Sequence, residues 1–377
     1  MDDHADTLSL LRDSIRRYVE KEVVPKAHAW EAQGFVPREV LRAMGKLGFL
    51  GLRYAEAHGG GALDARATAM LAEELGRSTF SGFAITVLVH TDMASPHLVN
   101  AGSPAQIAKY LPAIIAGERI TAVAVTEPDA GSDVKSIRTS ARLEGGHWVL
   151  KGTKMFITNG ALADLYFVAA KTDPAAGAKG ISMFIVEKGT PGFSVGRKLD
   201  KMGWRASDTA ELVFDGARVP AENLLGEENR GFYAVMKNFQ NERMAIASMA
   251  MGEAAKAIEL TLEYVRTRKA FGAPLWDKQA IRQRLSMLAA RVEAGRQLVR
   301  RCAELDAARQ DCVKEVSMAK AYCAELLNDV VYDCLQFHGG FGYIRESAIE
   351  RMYRDARVQT IGGGATEVML EEVAKRL

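Results

Sequence analysis

The chain has 377 residues, 48% hydrophobic and 25% charged, the balance of a soluble globular protein with room for two or three domains and a large core. Its 49 basic and 47 acidic residues leave a formal charge of +2, which gives no electrostatic footing for nucleic acid. No apolar run approaches the ~18 residues of a membrane span, and the acidic, amphipathic start MDDHADTLSLLRDS is unlike a signal or transit peptide, so the expected location is cytoplasmic.

In chain order, residues 5–118 read as helices. LSLLRDSIRRYVEKEVVP keeps a helical period until Pro25, and PREVLRAMGKLGFLGL, ARATAMLAEELGRS and PAQIAKYLPAIIAGE follow, separated by Gly, Pro and Ser. The largely apolar run Phe80–Leu98 is broken at His90, Thr91 and Asp92. With no second His or Cys at metal spacing, His90 reads as a satisfied core or cavity-wall histidine. At about Thr121 the pattern changes. TAVAVTEP reads as a strand, and Arg138–Glu144 and His147–Met155 alternate around Gly145-Gly146, a hairpin signal. Leu165–Lys171, Ile181–Glu187 and Ala210–Phe214 continue an antiparallel β domain that ends near Pro220.

Helices return at Gly231. Segments 231–250, 252–270, 277–308 and 311–336 are long and amphipathic, and HGGFGY interrupts them before a last helical stretch. The expected division is therefore helical (1–119), β (120–225) and helical (226–377), with no internal repeat. Cys302, Cys312, Cys323 and Cys334 recur every ten or eleven residues without a CxxC motif, as reduced cysteines of a helical core would.

The stretch GFYAVMKNFQNERMAIASMA carries the sharpest chemical signal. Val235, Phe239, Glu242 and Ile246 step by four, three and four, so a carboxylate shares a helix face with three apolar side chains. An ionised carboxylate there costs several kcal/mol unless paired, and burial raises its pKa. Glu242 is either a buried ion pair with Arg243 or a more distant arginine, or a catalytic base.

No GxGxxG after a first strand and no GxxxxGK[ST] is present in context. Instead, VTEPDAGSD (Val125–Asp133), KMFITNG (Lys154–Gly160), GRKLDKMGWRASDTAELVFDGARVP (Gly196–Pro220), NERMAIA, RTRKAFG (Arg266–Gly272), QFHGGFGY and IGGGATEVM resemble, in order and spacing, the signatures of the acyl-CoA dehydrogenases. The resemblance implies an N-terminal helical domain, a central antiparallel β-barrel, a C-terminal four-helix bundle, and FAD as cofactor. It implies flavin contacts from Val123, Val125, Thr126 and Ser132, a ring packed on the flavin from Phe156 (where the family commonly has tryptophan), and a hydrogen bond from Thr158. Arg268, Phe271 and Gln279, together with Gln336, Gly339 and Gly340, resemble residues that reach the FAD of a neighbouring subunit, so at least a dimer and in the family a tetramer is implied. Ala365 stands where threonine is usual, which leaves Thr366 and Glu367 as the cofactor contacts of that segment.

Many members of the family carry the catalytic base in a Tyr-Glu-Gly-Thr segment, where this chain has Gly362-Gly363-Gly364-Ala365. The long-chain and isovaleryl branches carry it in a Glu-Arg pair on the earlier helix, which here is Glu242-Arg243. The resemblance thus makes Glu242 the base, with Arg243, Gly363, Gly364 and Ser132 on the substrate and an electron-transfer flavoprotein as electron acceptor. Glycines at 362–364 are expected to leave room for a bulky or branched acyl chain. The alternatives are an oxidase of the same fold returning electrons to oxygen, usually a much longer chain, and a non-catalytic acyl-CoA- or flavin-binding relative, in which loss of the base would be expected.

Overall fold

The computed structural model describes residues 3–377. Seven helices form the N-terminal part: α1 (Asp3–Tyr18), α2 (Val24–Gln33), α3 (Arg38–Lys46), α4 (Ala65–Gly76), α5 (Ser81–Leu88), α6 (Ser95–Ala101) and α7 (Pro104–Ile115). Pro25 does not end the first helix, contrary to the sequence expectation. A π-turn, Val19–Val23, precedes it, and Pro25 then falls in the first turn of α2. The wider turn takes up the proline's missing N–H where an uninterrupted α-helix could not. The same device recurs at Val89–Ala94, ahead of Pro96.

The middle segment contributes β1 (Thr121–Ala124), β2 (Ser140–Glu144), β3 (His147–Thr158), β4 (Leu165–Lys171), β5 (Ile181–Glu187), β6 (Phe193–Lys198), β7 (Thr209–Pro220) and β8 (Leu224–Leu225). They form one barrel-like sheet in the order β6-β7-β3-β2-β4-β5-β8, with β1 added beside β4. Pairing is antiparallel except for β1 along β4 and the single Ser140–Lys171 match of β2 with β4. The strand β6 was missed in the sequence because its alternation is short: half-buried Phe193 and Val195 alternate with exposed residues, and Gly196, Arg197 and Lys198 then end the apolar pattern. The Gln106 amide of α7 donates to the carbonyls of Glu222 and Leu224 at 2.7 and 2.9 Å, which ties the helical part to the end of the sheet.

The C-terminal part is built on α8 (Gly231–Thr267), a single helix of 37 residues. A short hairpin, β9 (Lys269–Ala270) and β10 (Ala273–Pro274), leads to α9 (Gln279–Ala307), α10 (Val313–His338), α11 (Ala348–Ala356) and α12 (Thr366–Ala374). The segments expected separately at 231–250 and 252–270 are one helix, and Gly252 is where α8 crosses α4. A Cβ on Gly252 would fall 1.9 Å from the Glu73 carbonyl oxygen, and one on Gly76 would fall 2.3 Å from that of Met249. The reciprocal glycines let the two backbones touch, and that contact outweighs the weak helix propensity of glycine.

Met244, Leu288, Val292, Leu326, Leu327 and Val330 fill the bundle together with the four cysteines, which are all free and buried. Each such leucine contributes about 2 kcal/mol of burial. Among the described residues no helix is long and apolar enough to cross a membrane, and no group of His, Cys, Asp and Glu could hold a metal ion. His90 is buried, with Nε2 3.0 Å from the Ile114 carbonyl and Nδ1 accepting from the Thr121 amide at 3.2 Å. Burial pushes it down to about 4, so it is a neutral core histidine as expected.

Candidate active site

Glu242 lies on the face of α8 shared with Val235, Phe239 and Ile246, of which Val235 and Ile246 are buried. The turn 361–364, between the 3-10 turn Arg357–Thr360 and α12, lies against this face. Gly363 and Gly364 both have left-handed backbones, with φ of 63° and 97°, a conformation open to glycine at little cost. A Cβ on Gly363 would lie 3.4 Å from Glu242 Oε1 and 2.2 Å from Ile246 Cδ1. One on Gly364 would lie 3.6 Å from Arg243 Nε and 2.6 Å from Met369 Cε. The backbone of the turn therefore lies directly against the Glu-Arg pair.

The expectation that these glycines leave open room is corrected at two of three positions. Ile246 and Met369 fill the space beside Gly363 and Gly364, and only Gly362 has no neighbour closer than 3.6 Å.

No described residue makes a hydrogen bond to the Glu242 carboxyl or an ion pair with it within 4.0 Å, Arg243 included. Glu242 retains some accessible surface while its carboxyl lies deep among protein atoms. Burial pushes the carboxyl up to about 7, against the opposing pull of Arg243 and Lys320. Arg243 is buried, its guanidinium 5.3 Å from the centre of the Phe239 ring, and its Nε has no hydrogen-bond partner. Lys320 of α10 is fully buried, and its ammonium donates to the Gly364 carbonyl. Burial pushes Lys320 down to about 8, opposed mainly by Glu242. The sequence reading missed this lysine, although Val316, Lys320, Cys323 and Leu327 step by four, three and four, the pattern that singled out Glu242.

The two β-domain signatures meet edge to edge. The Met155 amide donates to the Thr126 carbonyl at 2.9 Å. Fully buried Lys154 reaches the Val125 carbonyl at 2.9 Å and Glu127 Oε1 at 2.7 Å, and Glu127 also accepts from the amides of Arg138 and Thr139. Val123 and Thr126 are half-buried and Val125 buried along this edge. The β3–β7 register shifts between Lys154 and Ile157, and in that irregularity Phe156 adopts φ 60° with 64% of its surface exposed.

Thr158 ends β3 opposite Thr209. Ser132 lies in the exposed loop after β1, beside Gly131, whose Cβ position meets nothing within 4 Å. An outward aromatic ring in a costly backbone conformation, flanked by half-buried hydroxyls and an open glycine, fits a flat ring system carrying polar edges. The residues present thus fit FAD.

A second cluster lies at the far end of α8. Arg268, Phe271 and Gln279 are exposed around the β9–β10 hairpin, Phe271 to 98%, and Gln336, Gly339 and Gly340 are exposed at the end of α10. Tyr264 joins the two groups by stacking on His338 at 4.4 Å and donating to its carbonyl. Arg268, just past the end of α8, lies twenty-six positions beyond Glu242, about 39 Å at the α-helical rise, so within one chain these residues do not meet Glu242. At the start of α12, Glu367 is exposed, and the Thr366 hydroxyl is already engaged with Glu325 Oε1 at 2.9 Å.

Family profiles match the chain in the same three parts: "Acyl-CoA dehydrogenase, N-terminal domain" over residues 5–118, "middle domain" over 122–217 and "C-terminal domain" over 229–377. The long-chain specific acyl-CoA dehydrogenase of Mus musculus is 43% identical over 370 residues, 98% of this chain and 86% of the mouse protein. The crystal structure of an acyl-CoA dehydrogenase from Geobacillus kaustophilus superposes with a TM-score of 0.94 at 40% identity, covering 100% of this chain and 98% of that one. An FAD complex of PigA superposes equally well, with a TM-score of 0.94 at 28% identity over 98% of this chain and 97% of that one. Matched along nearly its whole length, the chain belongs to the acyl-CoA dehydrogenase family.

Proposed function

We propose that this enzyme oxidises an acyl-CoA thioester to the trans-2-enoyl-CoA, with Glu242 as the base that takes the α-proton and FAD as the cofactor. The observation that carries the reading is the carboxyl of Glu242, without an ion-pair partner and raised to about 7, lying against a glycine at the position where other members carry their base. A carboxylate poised near neutral pH is matched to removing a weakly acidic C–H proton.

The thioester carbonyl is placed at the Gly363 amide, which donates a hydrogen bond to the oxygen as negative charge develops there. Breaking the α-C–H bond sends the proton to Glu242. The β-C–H bond breaks with its electron pair, and the carbon–carbon double bond remains in the product. FAD, held by Thr126, Ser132, Phe156 and Thr158, supplies the acceptor for that hydride when bound. Arg243, with its free Nε beside Gly364, steadies the anionic form of Glu242. The ~39 Å span between Glu242 and Arg268 supports a cofactor shared across a subunit interface, with Arg268, Phe271, Gln279, Gln336, Gly339 and Gly340 serving the neighbouring subunit's FAD in a dimer or tetramer. An electron-transfer flavoprotein is the proposed electron acceptor.

The test is anaerobic mixing of the holoenzyme with acyl-CoAs that range from short straight chains to long and branched ones. Bleaching of the flavin absorbance together with formation of the trans-2-enoyl-CoA is the expected result, and the chain that bleaches fastest gives the substrate class. Rapid reoxidation by air with peroxide release would make the protein an oxidase. A flavin that no acyl-CoA bleaches would make it a non-catalytic relative.

A further inference from the structure

We propose that Lys320 is a positioning residue of this reaction: its buried ammonium clasps the Gly363-Gly364 turn to the bundle and sets the cationic side of the pocket around Glu242. The inference rests on the reading of Glu242 as base. Lys320 occupies a face of α10 that is otherwise buried and apolar, with Val316, Cys323 and Leu327 as its helical neighbours. A methionine there would fill the space without the cost of desolvating a charge. Among the described residues the ammonium has no carboxylate within 4.0 Å, and its one hydrogen-bond partner is the Gly364 carbonyl. Lys320 is thus a buried cation that binds the backbone of the site itself.

The charges around it define what it does. Lys320 feels Glu242 and Arg243 from α8, Glu325 from α10 and Glu367 from α12, while Arg243 also feels Glu372 of α12 and Arg376 just beyond that helix. Glu242 feels Arg243 and Lys320 as its two cations. A hydrogen bond to the Gly364 carbonyl restrains the left-handed turn that carries the Gly363 amide. The ammonium meanwhile stabilises negative charge in the pocket both before the reaction, on Glu242, and after the proton moves, on the thioester oxygen. Removing the cation therefore makes Glu242 easier to protonate, and the acid limb of the rate profile moves to higher pH.

The experiment measures anaerobic flavin bleaching against pH for wild-type holoenzyme and for Lys320→Met, Lys320→Gln and Lys320→Arg, with FAD content and unfolding midpoint recorded for each. Lys320→Met is expected to slow the maximal bleaching rate by about tenfold or more with little change in half-saturating substrate, and to raise the acid limb by about half a pH unit or more. Lys320→Gln, which keeps a donor for the carbonyl without the charge, should recover part of the rate and leave the limb displaced; Lys320→Arg should return the limb toward wild type. If Lys320→Met does not accumulate as holoenzyme, Lys320→Gln carries the same comparison. Neutral variants bleached at the wild-type rate with an unmoved limb would overturn the role of Lys320 alone. A wild type that no acyl-CoA bleaches would overturn the reading of Glu242 and this inference with it.

Discussion

Two buried carboxylates in this molecule have opposite fates. Burial alone would raise Glu127, but the Lys154 ammonium and the amides of Thr139 and Arg138 outweigh it, and its pKa ends below the ordinary carboxylate value. Glu242 has two cations nearby but no bond to either, and burial wins, pushing it up to about 7. The first carboxylate is a staple between the strands that present Thr126 and Phe156, and the second remains available to accept a proton. A fully satisfied buried charge holds structure, whereas an unpaired one that keeps some accessible surface is suited to chemistry.

The widest separation between the two sites should come from Glu242→Gln. Losing a general base costs about 10²- to 10⁴-fold in rate, so flavin bleaching should fall by that much while FAD content is unchanged. The reverse pattern is expected for Lys154→Met. It leaves Glu127 buried without its cation, a loss of about 3–5 kcal/mol, visible as a lower denaturant midpoint and released FAD. Should Lys154→Met retain both stability and FAD, Glu127 would not be a staple.

Gly363→Ala should cost about 1–2 kcal/mol for the left-handed backbone alone, and more in rate because its Cβ meets Ile246. Adding Ile246→Ala should recover part of the rate, read as a coupling between the two substitutions. The smallest effect is on stability against pH. A carboxyl raised by folding binds its proton more tightly in the native state, so Glu242 contributes stability at low pH that is lost as pH rises from the ordinary carboxylate range through about 7. Glu242→Gln should flatten that decline in the unfolding midpoint; an unchanged slope would mean that Glu242 is not raised by burial.

The same contrast shows what the sequence carried. Glu242 was legible because one carboxylate interrupted an apolar helical face, and Gly363 because a carboxylate was missing from a segment where relatives have one. Leu165–Lys171 and Ile181–Glu187 were legible to the residue because both are near-continuous apolar runs. Strand β6 was not, since only Phe193 and Val195 alternate before Gly196, Arg197 and Lys198 end the pattern. Pro25 and the division between 231–250 and 252–270 misled: at Pro25 a π-turn overruled local propensity, and α8 runs unbroken through its crossing with α4 at Gly252, and neither leaves a mark in the local pattern. Lys320 lay in plain view at helical spacing. Its meaning depends on a carbonyl 44 residues away, a contact no periodicity reports.

The claim that Glu242 takes the α-proton is tested most directly with an acyl-CoA analogue carrying sulfur in place of the β-carbon, which can lose its α-proton but has no β-hydrogen to give. In D2O the wild-type holoenzyme should exchange the α-proton of this analogue for deuterium, and Glu242→Gln, with equal FAD content, should not. Exchange at the wild-type rate by Glu242→Gln would place the base elsewhere and contradict the account.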